Sequence, residues 1–223
     1  MISVAIDGPA GAGKSTIAKT VSKKLGFIYV DTGALYRTIG LKFINEGYDE
    51  DLNCDIDGVL EDVKIDIKFV EGEQRVYLNG EDVSGLIRTP KASLMASAVS
   101  AKPQVRAFLL EMQRSLAREN NVIMDGRDIG TVVLPDATVK IFLTASAEDR
   151  ANRRYKELIE KGMDVNYEDV LRDIEKRDYN DSHRAIAPLK PAEDSVIADT
   201  SGFELEQSVE LILSIINERL DNK

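Results

Sequence analysis

Apolar runs of strand length alternate with longer stretches of helical periodicity along most of the chain. The first run, residues 2–6, is apolar and β-prone enough for the middle of a sheet. Further strand candidates lie at 27–30, 122–125, 139–143 and 196–199, and helical patterns follow most of them, including one at 204–220. This alternation predicts an α/β fold in which helices flank both faces of a parallel sheet.

The segment between about 60 and 90 interrupts this alternation. From Val63 to Phe69, apolar and charged residues alternate, which is the period of a strand with one wet face. Asn79-Gly80 follows another apolar run and is a strong signal for a hairpin turn. We therefore expect a small antiparallel sheet in a subdomain inserted at 60–100. It is either a surface insertion or a movable lobe that closes over a second substrate.

A glycine-rich stretch follows the first strand candidate and precedes a helical pattern. It reads "GPAGAGKST" and matches G-x-x-x-x-G-K-[ST] in the strand–loop–helix context of a phosphate-binding loop. Its backbone N–H groups and helix N-terminus can hold phosphate oxygens. Lys14 is placed to reach the β- and γ-phosphates, and the Ser15 hydroxyl is a candidate ligand of Mg²⁺. The predicted nucleoside triphosphate site, most often one for ATP, comprises Gly8, Pro9, Ala10, Gly11, Ala12, Gly13, Lys14, Ser15 and Thr16.

Composition narrows the class of protein. The net charge of −10, without a basic block, argues against nucleic acid as a partner. Cys54 and His183 are the only cysteine and histidine, so we expect neither a disulfide framework nor a histidine-based metal cluster. The chain has no 18-residue apolar stretch and starts directly in a strand instead of a signal peptide. We therefore expect one domain, 1–223, in a cytoplasmic protein without a membrane partner.

Arginines occur where the rim of the cleft is expected. Arg127 and Asp128 follow the strand candidate at 122–125, at the end where open α/β sheets bind ligands. Asp173, Arg177, Asp181 and Arg184 recur at helical spacing, a pattern that a solvated helix also shows. The chain lacks the Asn-Lys-x-Asp motif of GTPases and the Leu-Ser-Gly-Gly-Gln signature of transporter ATPases. These features favour a kinase of small molecules.

Five segments occur in the order "IDGPAGAGKST", "DTGALYR", "GEDVSGLIR", "DGRDIGTVVLPDATVKIFLTAS" and "RDYNDSHRAIAPL". With these segments the chain resembles the bacterial cytidylate kinases from residue 2 to about 190. The resemblance implies a P-loop kinase fold, an inserted subdomain that binds the nucleoside monophosphate, and an arginine-rich lid at 147–185. It implies transfer of phosphate from ATP, with Mg²⁺, to CMP or dCMP by a monomer. The alternatives are a kinase for UMP or GMP and a nucleotide sensor that performs no transfer.

The resemblance also assigns roles to single residues. It implies that Lys14 and the lid residues Arg150 and Arg154 neutralise the transferred phosphoryl group. The residues implied for the CMP phosphate are Thr32, Arg37, Arg127 and Arg184. Arg106 and Asp128 would meet the base, with Ser97 close by, and Arg177 and Asp181 would lie beside the pentose hydroxyls. Thr32 stands where the family also uses serine, and both residues carry a hydroxyl.

Overall fold

The structure is a computed structural model that describes residues 1–221. Its strands are β1 (Ser3–Asp7), β2 (Ile28–Asp31), β3 (Ile65–Val70), β4 (Glu73–Leu78), β5 (Glu81–Asp82), β6 (Val122–Gly126), β7 (Val139–Thr144) and β8 (Val196–Asp199). Its helices are α1 (Lys14–Leu25), α2 (Thr32–Asn45), α3 (Ile56–Glu61), α4 (Pro90–Ser100), α5 (Pro103–Glu119), α6 (Ala147–Glu160), α7 (Tyr167–His183) and α8 (Leu205–Asp221). A π-helical turn spans Ile129–Val133.

A five-stranded parallel sheet forms the centre of the fold and confirms the predicted class. Its strand order is β2-β6-β1-β7-β8. Val4, Ala5 and Ile6 of the central strand β1 are fully buried, because helices cover both faces of a parallel sheet. One of these faces packs against α1 and α8 through apolar residues that include Ile17 and Ile212. The carboxyl ends of the strands therefore meet at one edge, where the phosphate loop follows β1.

The interrupting segment forms an antiparallel sheet of order β3-β4-β5. Asn79-Gly80, with φ values of 51° and 90°, is the two-residue turn between β4 and β5, as its sequence predicts. A second turn, Glu71-Gly72 with φ values of 53° and 77°, joins β3 to β4. Only its glycine suits a left-handed conformation, which is why the sequence alone did not indicate it. The strand begins at Ile65, two residues later than the alternation suggested.

Three local features were not apparent from the sequence patterns. Helix α2 begins at Thr32, directly after β2, because the side chain of Asp31 caps it by accepting a hydrogen bond of 2.8 Å from the backbone N–H of Ala34. The short helix α3 was not predicted. The π-helical turn was not predicted either, and a carboxylate distant in the sequence, that of Asp7, stabilises it.

Candidate active site

The phosphate loop runs from the buried end of β1 to the start of α1. Gly8, Gly11 and Gly13 have φ values of 151°, 75° and 83°, which L-residues with side chains rarely adopt. A Cβ at Gly8 would lie 1.9 Å from the carbonyl oxygen of Leu143. The loop therefore packs against β7 as closely as a backbone can, and its glycines are required by the geometry.

Lys14 lies at the start of α1 and is almost entirely buried. Its Nζ donates a hydrogen bond of 2.7 Å to the carbonyl oxygen of Pro9, within the same loop. Desolvation, followed by the nearby guanidinium of Arg127, lowers the pKa of Lys14 to about 7, although Asp125 and Asp181 act in the opposite direction. A phosphate anion in the loop would favour the charged form of this amine.

Four side chains converge at the ends of β2 and β6. The Ser15 hydroxyl donates to Oδ2 of Asp125 at 2.8 Å, and the Tyr29 hydroxyl donates to Oδ1 at 2.9 Å. The hydroxyl of Thr32 donates to the backbone carbonyl of Asp125 at 2.7 Å. Burial, then the charge of Asp31, raises the pKa of Asp125 to about 6. The hydroxyl of Ser15 and this carboxylate are hard oxygen donors, which is the ligand type that Mg²⁺ takes.

Asp31 and Arg37 form the next part of the cleft. Oδ2 of Asp31 accepts a hydrogen bond of 2.8 Å from Nη2 of Arg37. A Cβ on Gly33 would lie 3.1 Å from Nη1 of Arg37, so the glycine leaves room for the guanidinium to fold back over the helix start. Nε of Arg37 is buried without a hydrogen-bond partner among residues 1–221. A buried N–H of this kind suits an anionic ligand.

More guanidinium groups surround this position. Nε of Arg127 donates a hydrogen bond of 2.7 Å to Oδ2 of Asp181. Burial raises the pKa of Asp181, but the charge and hydrogen bond of Arg127, together with the charges of Arg184 and Arg177, outweigh burial and bring this pKa below its ordinary value. Desolvation lowers the pKa of Arg177, and the charges of Arg127, Arg154 and Arg37 lower it further. These arginines therefore share one positive region, which predicts a polyanionic ligand.

A buried group of three charges adjoins Arg127. Asp128 forms ion pairs with Arg106 through Oδ2 and, at 3.4 Å, with Arg184 through Oδ1. Burial raises the pKa of Asp128, although both arginines oppose this effect. The guanidinium carbon of Arg106 lies 5.8 Å from the centre of the Tyr36 ring. The group offers charged donors and an acceptor beside an aromatic face, which suits a planar polar ligand such as a nucleobase.

The resemblance gave roles to Ser97 and Arg184 but not their contacts, which the structure describes. Ser97 lies on α4, and its carbonyl oxygen accepts from the hydroxyl of Ser100 at 2.8 Å. Ser100 in turn offers its carbonyl oxygen to Nη1 of Arg106 at 3.3 Å. Arg184 follows the last residue of α7 and reaches Asp128. In this structure Arg184 therefore contacts Asp128, one of the residues implied for the base, and Ser97 is linked to Arg106 through Ser100.

The three arginines of α6 have different environments. Arg150 is buried and donates to the carbonyl oxygens of Ala10 and Ala145, both at 2.9 Å, and to Asp178 at 2.6 Å. It therefore ties α6 and α7 to the phosphate loop. Arg154 is partly exposed and pairs with Glu157 at 2.8 Å. Arg153 donates to the carbonyl oxygen of Thr200 at 2.8 Å. The charge of Arg154 also lowers the pKa of Arg177 in the cleft.

Asp7 joins the end of β1 to the π-helical turn. Its two carboxylate oxygens accept hydrogen bonds from the backbone N–H groups of Ile129 and Gly130, both at 2.7 Å. The turn follows Asp128 directly, so Asp7 fixes the backbone that carries Arg127 and Asp128. Desolvation raises the pKa of Asp7 to about 6, even though both hydrogen bonds favour the charged form.

The raised pKa of Asp7 predicts a pH dependence of stability. Between about pH 6 and pH 3.8, the ordinary pKa of an aspartate, Asp7 is protonated in the folded protein and ionised in the unfolded chain. This group therefore adds stability as the pH falls from about 7 to about 4, by roughly 2–3 kcal/mol in full. The Asp7→Asn variant lacks this titration. In urea unfolding, the unfolding free energy of the wild type minus that of the variant should therefore be larger at pH 5 than at pH 7.5. The Asp136→Asn variant, at an exposed position, should show no such change. An equal difference for Asp7→Asn at both pH values would contradict the prediction.

Three functional candidates escaped the sequence-based reasoning. Asp125 had a usable signal, because an acidic residue ends a buried strand beside the phosphate loop. Asp7 had the same signal, because it ends the buried strand β1 directly before the phosphate loop. Tyr29 had none, because a tyrosine in a strand is ordinary and only the fold brings its hydroxyl to Asp125.

Comparison with known proteins identifies the family. The sequence profile described as cytidylate kinase matches residues 4–218. The chain belongs to the cytidylate kinase family. It is 50% identical over 220 residues to the cytidylate kinase of Carboxydothermus hydrogenoformans, with 98% of each chain covered. It is also 50% identical over 222 residues to the cytidylate kinase of Caldicellulosiruptor saccharolyticus, with 100% of this chain and 98% of the relative covered.

Solved structures support the fold assignment. A gluconokinase from Sinorhizobium meliloti superposes with a TM-score of 0.51 at 12% identity, covering 99% of this chain and 94% of the other. This likeness concerns the P-loop kinase fold alone. Within residues 1–221, none of the helices combines the length and apolar character needed to cross a membrane.

Proposed function

We propose that this cytidylate kinase family member transfers the γ-phosphoryl group of ATP to the phosphate of CMP or dCMP and so forms CDP or dCDP. The observation that carries the proposal is the arrangement of the cleft. A phosphate loop with a buried lysine adjoins a group of arginines around Arg37, and a buried Arg106–Asp128–Arg184 group lies beyond them. These three parts would bind, in the same order, the phosphates of the donor, the phosphate of the acceptor and the base of the acceptor.

The reaction needs charge neutralisation more than proton transfer. The nucleophile is a phosphate oxygen that is already an anion, so the cleft can work without a histidine base. Lys14 would stabilise the charge on the transferred group from the loop side, and Arg154 from α6. Arg150 would act mainly by holding Ala10 of the loop in place, and a direct contact with the phosphoryl group remains part of the proposal.

Mg²⁺ fits the donor set at the loop. Ser15 and Asp125 supply hard oxygen donors 2.8 Å apart. Residues 1–221 contain no group of three His, Cys, Asp or Glu side chains placed to bind a metal ion. A metal carried largely by the phosphates of ATP needs only a few protein ligands. When bound, Mg²⁺ neutralises charge on the phosphate oxygens. Ser15 would contact the ion, and Asp125 would orient Ser15 and the water around it.

The acceptor side follows from the same geometry. Thr32, Arg37 and Arg127 would hold the CMP phosphate, since planar guanidinium groups bind phosphate oxygens in pairs. Arg106 and Asp128 would bind the cytosine, and Arg184, implied for the phosphate, could also support Asp128. Arg177 and Asp181 would lie along the pentose. Ser97 would join them from α4.

Some broader features also remain proposals. We infer that the antiparallel sheet belongs to an acceptor-binding subdomain at 60–100, that 147–185 acts as a lid, and that 1–223 forms one kinase domain. The inferred protein is a cytoplasmic monomer that acts on free nucleotides. The net charge of −10 supports the last point, because it repels nucleic acid.

ADP release with ATP and Mg²⁺, measured against a panel of nucleoside and deoxynucleoside monophosphates, tests the function. We expect turnover with CMP and dCMP and much lower kcat/KM with UMP, AMP and GMP. A preference for UMP or GMP would favour a kinase of another specificity. Nucleotide binding without turnover on any acceptor would favour a sensor.

A further inference from the structure

The tip of the β3–β4 hairpin contacts the parallel sheet and helix α1 at three points in all. Phe69 packs against the apolar cluster that contains Val30. Gln74 contacts the end of β2. Glu73 forms an ion pair of 2.7 Å with Lys19 of α1. Phe69 and Gln74 lie opposite each other in the β3–β4 pairing, so their two contacts come from the same point of the hairpin.

The amide of Gln74 makes the most specific of these contacts. Its Oε1 accepts a hydrogen bond of 2.9 Å from the backbone N–H of Asp31, and its Nε2 donates one of 3.3 Å to the backbone carbonyl of the same residue. β2 is the edge strand of the sheet, with β6 as its neighbour. The backbone groups of Asp31 that point away from β6 therefore need a partner. The amide supplies one acceptor and one donor, as a neighbouring strand would.

Asp31 is the residue at which this contact can affect the chemistry. Its Oδ1 caps α2, and its Oδ2 holds the guanidinium of Arg37. Thr32 follows it directly and donates to the carbonyl of Asp125. A shift of the Asp31 backbone would move the helix start, Thr32 and Arg37 together.

We propose that Gln74 is a positioning residue for the acceptor site: it fixes the backbone of Asp31 and thereby orients Thr32 and Arg37 toward the acceptor phosphate. The inference rests on the proposed function, and it assigns the hairpin tip a role in binding the acceptor nucleotide. The Glu73–Lys19 pair is not a sufficient explanation for the docking. The side chains of Glu73 and Lys19 are 53% and 54% exposed, and exposed ion pairs contribute little.

The test compares Gln74→Ala with the wild-type protein in steady-state assays that vary CMP and ATP separately. We expect the KM for CMP to rise about 5- to 10-fold, the scale of one or two lost hydrogen bonds. The KM for ATP and the thermal unfolding midpoint should stay close to the wild-type values. Gln74→Glu keeps the side-chain length and the acceptor but loses the donor. Its KM for CMP should lie between the values for the wild type and Gln74→Ala. Arg75→Ala, an exposed neighbour on the same strand, should behave like the wild type.

A double-mutant cycle with Arg37→Lys asks whether Gln74 acts through Asp31 and Arg37. If it does, the combined variant should raise the KM for CMP by less than the product of the two single effects. Additive effects, an unchanged KM for CMP, or equal rises for CMP and ATP would overturn the inference. Wild-type turnover with CMP is measured in the same experiment, so a failure of the proposed function would be seen separately.

Discussion

Lys14→Ala should lower kcat by about 10²-fold or more, which is the typical effect of removing one preorganised electrostatic contact from a transition state. The lysine is buried against the phosphate loop, and its Nζ is held by the carbonyl of Pro9 at 2.7 Å. The amine is therefore in position before the phosphoryl group develops its charge, and bound phosphate favours its charged form. ADP release at saturating CMP, ATP and Mg²⁺ measures the effect. Lys23→Ala, at an exposed position of the same helix, is the matched control.

The stability of this variant separates a catalytic role from a structural one. The pKa of Lys14 falls from 10.5 to about 7 in the folded protein. The folded state then binds fewer protons than the unfolded chain between these pH values, so this group costs stability at pH 7 and the cost decreases as the pH rises toward 10.5. We therefore expect the Lys14→Ala variant to be at least as stable as the wild type at pH 7 in urea unfolding. Near-wild-type turnover, or a loss of activity that follows a loss of folded protein, would contradict the prediction.

The sequence was sufficient for the parallel sheet and the phosphate loop because both depend on local patterns. Residues 4–6 are apolar without alternation, as a strand covered on both faces must be. The glycines of the loop are spaced for backbone conformations that other residues rarely adopt. The turn at Asn79-Gly80 was equally local. By contrast, Glu71-Gly72 forms the same kind of turn with a residue that gives no such signal.

The charge pairs of the cleft were beyond sequence reasoning because their partners are distant in the chain. Arg106 and Asp128 are 22 residues apart, Arg150 and Asp178 are 28, and Arg127 and Asp181 are 54. Helical spacing placed Asp181 on one face of α7, but only the fold brings Arg127 to it. The resemblance to a family supplied the candidate residues without their contacts. The geometry adds Asp7, Asp125 and Gln74, which hold the candidates in position.

Asp128→Asn should lower kcat/KM for CMP by about 10²- to 10³-fold and reduce the preference for CMP over UMP at least tenfold. Cytosine presents acceptors at O2 and N3 and a donor at its amino group, whereas uracil presents N3–H and O4. A buried arginine and carboxylate suit the first pattern and are left unpaired by the second, which can cost several kcal/mol. The amide of asparagine can donate to O4, so the variant should lose more activity with CMP than with UMP.

The structure shows how Asp128 could receive the base. Its Oδ2 is bound to Arg106, whereas the contact of Oδ1 with Arg184 is long, at 3.4 Å. Oδ1 is therefore the oxygen with capacity for the amino group of cytosine. The alternative is that the ion pair between Arg106 and Asp128, which this structure contains, serves only to hold the two side chains in place. In that case the substitution would disturb the cleft without affecting the choice of base.

The CMP-to-UMP ratio of kcat/KM distinguishes these possibilities, because a loss of folded protein lowers both values by the same factor. Removing the carboxylate leaves two buried guanidinium groups with less compensation, so some loss of stability is expected. Circular dichroism at the assay temperature gives the folded fraction, and Asp62→Asn, at an exposed position, is the control for the chemical change alone. The KM for ATP should stay close to the wild-type value. If Asp128→Asn reduces kcat/KM for CMP and UMP equally, Asp128 does not read the base, and its pairing with Arg106 is structural.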